Sequence, residues 1–360
     1  MNRYVVNGEH LAHNLKYLKK KAKNVPIWAV IKGDGYGLGA LPLASLLKKE
    51  GIENFCVTEC SEAELLRRNG FSKAEILMLR DVSNEETLRR LLALDVILTA
   101  GSKESAQRIG ELAARCKRTA RVHLKIDTGM GRYGFLPHET EQIKAVYGQK
   151  NLSVSGIYTH FNCAFNDKKL TLREFEAFRS VVDELQKLGF DTGTVHCCNS
   201  SAFLKYPEMH LGGVRLGSAI LGRMPFGTKL RPVGECESRV DAVRVLPKGH
   251  TTGYGAVWKA KKDTKVAIVP VGWYHGFHVS CKADMSRGRD CLRAALSALK
   301  SLIFRPKAYV EIKGKRCPVI GAIGMLHCAV DVSRVDCAPG DTVRLQISPL
   351  HVKGMEIRWQ

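Results

Sequence analysis

The chain reads as an α/β protein: a (β/α)8 barrel of the TIM type over residues 8–232, then a second, mostly β domain over residues 233–360 that residues 1–7 are expected to join. Two observations predict this. Over the first stretch, short apolar runs alternate with amphipathic segments eight times, the rhythm of parallel strands joined by crossover helices. Beyond residue 233 the helical segments thin out, and strand-like runs follow one another closely, separated by turn residues such as Lys248-Gly249 and Pro339-Gly340-Asp341.

The barrel elements are taken in order. Ile27–Ile31 is followed by a helix around Leu41–Lys49, Phe55–Thr58 by Glu62–Asn69, Ile76–Leu79 by Glu85–Leu92, and Val96–Thr99 by Lys103–Ala114. Val122–Ile126 precedes Thr140–Tyr147, Val154–Tyr158 precedes Leu170–Leu188, and Thr194–His196 leads to a short unit ending in Val214-Arg215-Leu216. In the second domain the predicted strands are Arg239–Val245, Thr264–Pro270, Ala308–Ile312, Cys317–Ile323, Ala329–Val332 and Thr342–Ile347, with Arg289–Leu302 read as a helical insertion. Function is expected at the carboxyl ends of the barrel strands.

Composition narrows the classes. With 45% hydrophobic and 25% charged residues in 360, the chain is globular throughout. The opening MNRYVVNGEHLAHNL lacks the apolar core of a signal peptide and no run of eighteen apolar residues occurs, so a cytoplasmic protein without a membrane span is expected. Twelve cysteines include no C-x-x-C spacing, Cys56 and Cys60 lie four apart and Cys197-Cys198 are adjacent; buried thiols are expected rather than disulfides or a metal site. The formal charge of +21 suggests contact with polyanions, but the excess is dispersed. Its densest stretch, Cys281–Arg316, carries no nucleic-acid-binding motif, so a solvated basic face and attraction of anionic small molecules are expected, not specific nucleic-acid recognition.

Chemistry concentrates at strand ends. Lys32 follows the apolar run Ile27–Ile31 and precedes the glycine-rich Gly33-Asp34-Gly35-Tyr36-Gly37-Leu38-Gly39. An amine at the mouth of a cleft, partly desolvated, is a Schiff-base candidate for pyridoxal phosphate (PLP), against the plain alternative of a solvated lysine. Gly35–Ala40 also fits G-x-G-x-x-A, with Glu59 ending the next strand; the nicotinamide cofactor this suggests leaves Lys32, Arg132 and Tyr254 without a role. Lys125-Ile126-Asp127 and Arg132 follow a later strand, the arginine offering a planar fork to a carboxylate or phenolate, unless Lys125 and Asp127 form only an internal ion pair. His160, then Asn199-Ser200-Ser201, then Arg215 with the turn Gly217-Ser218 end further strands, the last with backbone N–H groups suited to a phosphate.

Taken in this order, Lys32-Gly33-Asp34-Gly35-Tyr36-Gly37, Lys125–Gly134, Thr159-His160-Phe161, Asn199-Ser200, Arg215-Leu216-Gly217 and Gly253-Tyr254-Gly255-Ala256 resemble the alanine racemase family, PLP enzymes built from an eight-fold barrel and a β domain. The resemblance implies that Lys32 carries PLP and is one acid/base, and that Tyr254, reaching in from a partner subunit of a homodimer with shared sites, is the other. It implies phosphate contacts from Tyr36, Ser200, Gly217 and Ser218, a role for Arg132 at the phenolic oxygen and the substrate carboxylate, and Arg215 facing the pyridine nitrogen. His160 would bridge Tyr254 and Arg215, Met325 would lie with the substrate-binding residues, and Lys125 matches a position carbamylated in many members.

The implied roles agree with elementary chemistry. Inverting a carbon needs a base on each face of a planar carbanion, and an arginine, which keeps its proton, would leave the pyridine nitrogen bare and disfavour transamination. Tyr254 would need cationic neighbours to act near neutrality. Departures lie in the second domain. The chain has Gly272-Trp273-Tyr274-His275-Gly276 where members read Gly-Tyr-Ala-Asp-Gly and Met325-Leu326 where they read Met-Asp, and it ends at Gln360 with no C-terminal tyrosine to place at the phosphate. The expectation is a PLP-dependent racemase for alanine, a small-molecule amino-acid substrate; the alternatives are serine or another amino acid, or a PLP-binding paralogue with little turnover.

Overall fold

The computed structural model describes residues 2–279, 288–303 and 308–360. The chain divides into two compact units, one of Gly8–Val233 and one of Met1–Asn7 with Gly234–Gln360.

After β1 (Arg3–Val6), which belongs to the second unit, α1 (Gly8–Ala22) opens the first. Leu11, Asn14, Leu15, Leu18 and Ala22 recur at three- and four-residue spacing and form its buried stripe. Asn14 is buried at no cost in unpaired groups: its amide donates to the Ile220 and Arg231 carbonyls and its oxygen accepts from Arg231 N–H. Eight strands follow: β2 (Ile27–Val30), β3 (Asn54–Val57), β4 (Glu75–Met78), β5 (Leu98–Ala100), β6 (Ala120–Lys125), β7 (Leu152–Tyr158), β8 (Thr194–Cys198) and β9 (Gly213–Leu216). All pair in parallel, in the order β4-β3-β2-β9-β8-β7-β6-β5. The ring closes between β4 and β5, where Met78 N–H donates to Ile97 O and Ile97 N–H to Ile76 O.

The helices between strands are α2 (Ala40–Lys49), α3 (Cys60–Arg68), α4 (Glu85–Ala93), α5 (Lys103–Arg115), α6 (Thr140–Tyr147), α7 (Lys168–Lys187) and α8 (Ser200–Lys205). Several starts are written in the sequence. Asn84, Ser102, Asp167 and Asn199 each accept a backbone N–H of the first turn, which satisfies one orphan donor at each end. Between β2 and α2 the chain is not an ordinary helix. Gly33, Asp34, Gly35 and Tyr36 take φ of 63°, 51°, 63° and 58°, a left-handed run in which Asp34 and Tyr36 each cost about 1–2 kcal/mol. Neighbouring bonds hold it: Gly35 N–H to Ile31 O, Gly39 N–H to Asp34 O, and Ala40 N–H to the Asp34 carboxylate.

The second unit comprises β1, β10 (Gly234–Arg239), β11 (Ala242–Leu246), β12 (Thr251–Thr252), β13 (Trp258–Lys259), β14 (Thr264–Val269), α9 (Gly288–Ile303), β15 (Tyr309–Ile312), β16 (Lys315–Ile320), β17 (Cys328–Asp331), β18 (Thr342–Leu345) and β19 (Glu356–Trp359). Nine of these strands form one sheet in the order β11-β14-β17-β16-β15-β18-β10-β1-β19. Leu246, Val266, Ile320 and Ala329 pack together on it. The stretch expected as one strand, Arg239–Val245, is two: β10 pairs with β1 and β18 while β11 pairs with β14. Val240 and Asp241 turn the chain between them, their N–H groups held by Asp341 O and Ile268 O. α9 occupies the expected insertion and leaves Leu292, Leu296 and Leu299 exposed; the basic stretch Cys281–Arg316 lies partly outside the described residues. Among the described residues no helix is long and apolar enough to cross a membrane.

Candidate active site

A cavity of about 430 Å³ opens where the barrel strands end. Lys32, Tyr36, Lys125, Arg132, His160, Ser200, Arg215, Gly217 and Ser218, all singled out from sequence, line it. It is strongly cationic. Lys32, Arg80, Lys125, Arg132 and Arg215 reach it, and no carboxylate is among its lining side chains. A cleft of one sign raises the local concentration of anions.

Lys32 enters on the left-handed turn after β2, with much of its side chain exposed to the cavity and its amine making no hydrogen bond among the described residues. Burial and then the Arg132 guanidinium lower its pKa, while Glu62 opposes them. Tyr36 lies on the same turn. A Cβ added at Gly217 would fall 2.1 Å from its hydroxyl, so this glycine exists to let the phenol approach the backbone. Burial raises the Tyr36 pKa to about 12, which keeps the phenol protonated and able to donate. Beside it, Ser200 Oγ accepts from the N–H groups of Gly217 and Ala219, leaving its own proton free to donate.

Arg215 is the anchor of the opposite wall. Only 4% exposed, its guanidinium donates to His196 Nδ1 at 2.7 Å, to the carbonyls of Thr159, His196 and Cys197, and to His160 Nδ1 at 3.5 Å. Because arginine only donates, His196 must accept at Nδ1 and carry its proton on Nε2. That proton points to His123 Nδ1, 2.9 Å away. Burial, reinforced by Arg215, holds His196 well below the usual imidazole range and His123 at about 3, so the chain Arg215–His196–His123 is a fixed polar stack with one positive charge. Tyr158 lies against His196 with ring centroids 5.0 Å apart and under the Arg215 guanidinium. His160 is likewise held neutral by burial and by Arg215, Lys125, Arg132 and Lys32.

Lys125 is almost fully buried over the rings of Tyr133 and Tyr158. Burial, Arg132 and Arg215 bring its pKa down to about 8. The alternative of an internal ion pair with Asp127 is not what forms. The Asp127 carboxylate instead accepts from the N–H groups of Gly129, Met130 and Arg132, shaping the turn that delivers Arg132. Sequence reading missed Glu62, His123 and His196. Glu62 had a visible signal as an acid three residues into α3's start, but the histidines sit mid-strand with nothing to mark them.

Tyr254, Trp273, Met325 and Leu326 belong to the second unit. Tyr254 lies in a one-turn element after β12, 78% exposed. Trp273, Met325 and Leu326 are also exposed. Their loops interlock: Trp273 N–H donates to Gly324 O, Tyr274 N–H to Met325 O, and Gly253 sits where a Cβ would meet Ala322 N at 2.5 Å. His275 is buried and accepts Gly272 N–H.

Known proteins fit this arrangement. Residues 6–225 match the family described as alanine racemase, N-terminal domain, and residues 233–354 match its C-terminal domain. The chain is 33% identical to the alanine racemase of Desulforamulus reducens, with 92% of this chain and 85% of that one aligned, and 31% identical to that of Clostridium tetani, with 94% and 84% aligned. Among solved structures, alanine racemase of Clostridium difficile 630 superposes with a TM-score of 0.80 at 27% identity, covering 99% of this chain and 88% of that one. The enzyme from D-cycloserine-producing Streptomyces lavendulae gives 0.84 at 23% identity, covering 100% and 97%, a likeness of fold. With two domain matches spanning most of its length and relatives above 30% identity over nine tenths of it, the chain belongs to the alanine racemase family.

Proposed function

We propose that the protein is a PLP-dependent racemase that interconverts L- and D-alanine. The carrying observation is the cavity itself: the Lys32 amine, without a hydrogen-bond partner among the described residues, a hydroxyl and N–H cradle at Tyr36, Ser200, Gly217 and Ser218, and cationic walls whose described lining holds no carboxylate. That donor set suits a dianionic phosphate and a second carboxylate. PLP, when bound, supplies an electron sink that acidifies the hydrogen on the substrate α-carbon.

The chain's own groups do the rest. Lys32 would hold PLP and move a proton on one face of the substrate; its lowered pKa favours the free amine that both tasks require. Tyr36, Ser200 and the Ser218 N–H would hold the phosphate, with Gly217, whose N–H donates to Ser200 Oγ, letting the phenol come close to the turn. Arg215 would meet the pyridine nitrogen as a donor that cannot give its proton away, and the neutral histidines leave its charge uncompensated. Arg132 takes the substrate carboxylate. Lys125, with a pKa of about 8, is free amine often enough near neutrality to add dissolved CO2 and release a proton, which would leave a carbamate whose negative charge steadies Arg132. Tyr254 serves the other face from the partner subunit of a homodimer, with Met325 beside the substrate. Incubation with single L-amino acids and chiral analysis of each product tests the assignment, together with borohydride reduction and peptide mapping. Alanine should be the fastest substrate and Lys32 the labelled residue. A label elsewhere, or serine turned over in preference to alanine, refutes it.

A further inference from the structure

We propose that Glu62 is a positioning residue for Lys32: it grips the left-handed turn that carries the lysine and sets a buried negative charge against the cations around its amine. Glu62 is 6% exposed at the start of α3. One carboxylate oxygen accepts the N–H groups of Thr58 and Glu59, closing the start of its own helix. The other accepts Asp34 N–H at 3.1 Å. A capping carboxylate needs only the first pair; the third bond crosses from α3 to the Lys32 turn. It ends on Asp34, a non-glycine residue at φ 51°, a conformation that persists only when its surroundings over-determine it.

The electrostatics point the same way. Lining the cavity that Lys32 enters are Tyr36 on its own turn, Arg80 after β4, Lys125 on β6, Arg132 and Tyr133 beyond it, Tyr158 and His160 at the end of β7, and Arg215 on β9. Every charged member of that set is a cation. Glu62 stands behind the turn, raising the Lys32 pKa where burial and Arg132 lower it. Its charge therefore tunes how much free amine Lys32 offers at a given pH, and its bond to Asp34 N–H helps fix the turn on which that lysine sits.

The inference rests on the reading of Lys32 as the PLP lysine, and its test is separable from that reading. Full-length, cofactor-free chain is trace-acetylated with acetic anhydride across a pH series, and the Lys32 peptide is quantified by mass spectrometry. Removing a buried negative neighbour should move the labelling midpoint of Lys32 down by about one pH unit in Glu62→Gln. A merely structural cap would lower thermal stability and leave the midpoint in place. That outcome, in a variant whose circular dichroism matches the wild type, overturns the proposal. Should Glu62→Gln fail to fold, Glu62→Asp keeps the charge one methylene farther away, and its midpoint should fall by a few tenths of a unit; an unmoved midpoint there also overturns it. If borohydride labels a lysine other than Lys32 in the wild type, the functional reading fails while the midpoints still decide whether Glu62 acts on Lys32.

Discussion

Replacing Gly217 by alanine isolates the phosphate cradle without touching a catalytic group. The added methyl would lie 2.1 Å from the Tyr36 hydroxyl and 2.8 Å and 2.9 Å from the adjoining ring carbons, all far inside van der Waals contact. Gly217 has no positive φ, so the backbone accepts alanine and the penalty is purely steric. Tyr36 cannot simply step aside, because its backbone is left-handed and it packs against the core cluster that includes Trp28, Val30 and Cys56. Overpacking of this kind costs about 1–3 kcal/mol. If the phenol yields, the phosphate loses a donor, and PLP affinity should fall by roughly 10- to 100-fold at 1.4 kcal/mol per decade. Equilibrium titration of cofactor-free protein with PLP measures this directly. Adding Tyr36→Phe to Gly217→Ala deletes the 2.1 Å contact and should restore thermal stability without restoring affinity. Unchanged PLP affinity in the single variant would refute the placement of the phosphate at this turn.

Three further outcomes are expected. In deuterated solvent, Tyr254→Phe should still exchange the α-hydrogen of D-alanine through Lys32 while losing exchange from L-alanine by on the order of 10²–10⁴-fold; equal loss from both enantiomers, with PLP bound, removes Tyr254 as the second base. Mixing inactive Lys32→Ala with inactive Tyr254→Phe should recover activity after subunit exchange, since one site of a mixed dimer holds both groups; no recovery argues for sites built within one chain. For Lys125, the unfolded chain binds the proton more tightly than the folded one, so stability should rise between about pH 8 and pH 10.5 by up to about 3 kcal/mol. Denaturant titrations across that window should show the rise in the wild type and a smaller one in Lys125→Met, and identical slopes would contradict the buried, unpaired amine.

What the residues determine by themselves is the element rhythm and the strand-end chemistry. All eight barrel strands fall where the apolar runs predict them, because burial periodicity is a local property of sequence. Lys32, Arg132, His160, Ser200 and Arg215 were legible for the same reason: a parallel barrel brings the carboxyl ends of its strands to one rim. Tertiary structure alone decided the rest. β1 and β19 pair in parallel although more than 350 residues separate them, and short strands at chain ends carry no local mark of a partner so distant. Arg239–Val245 reads as one β-rich run, yet Arg239 ends a strand paired with β18 while residues 242–245 lie in one paired with β14. The left-handed turn at Lys32 is permitted by Gly33 and Gly35 but imposed by Asp34 and Glu62 through bonds from other elements. The His196–His123 hydrogen bond exists only because β6, β8 and β9 point those side chains and Arg215 into one barrel interior. Strand alternation can say that a side chain faces inward; which polar groups meet there, and so which protons and charges they hold, depends on the closure of the ring.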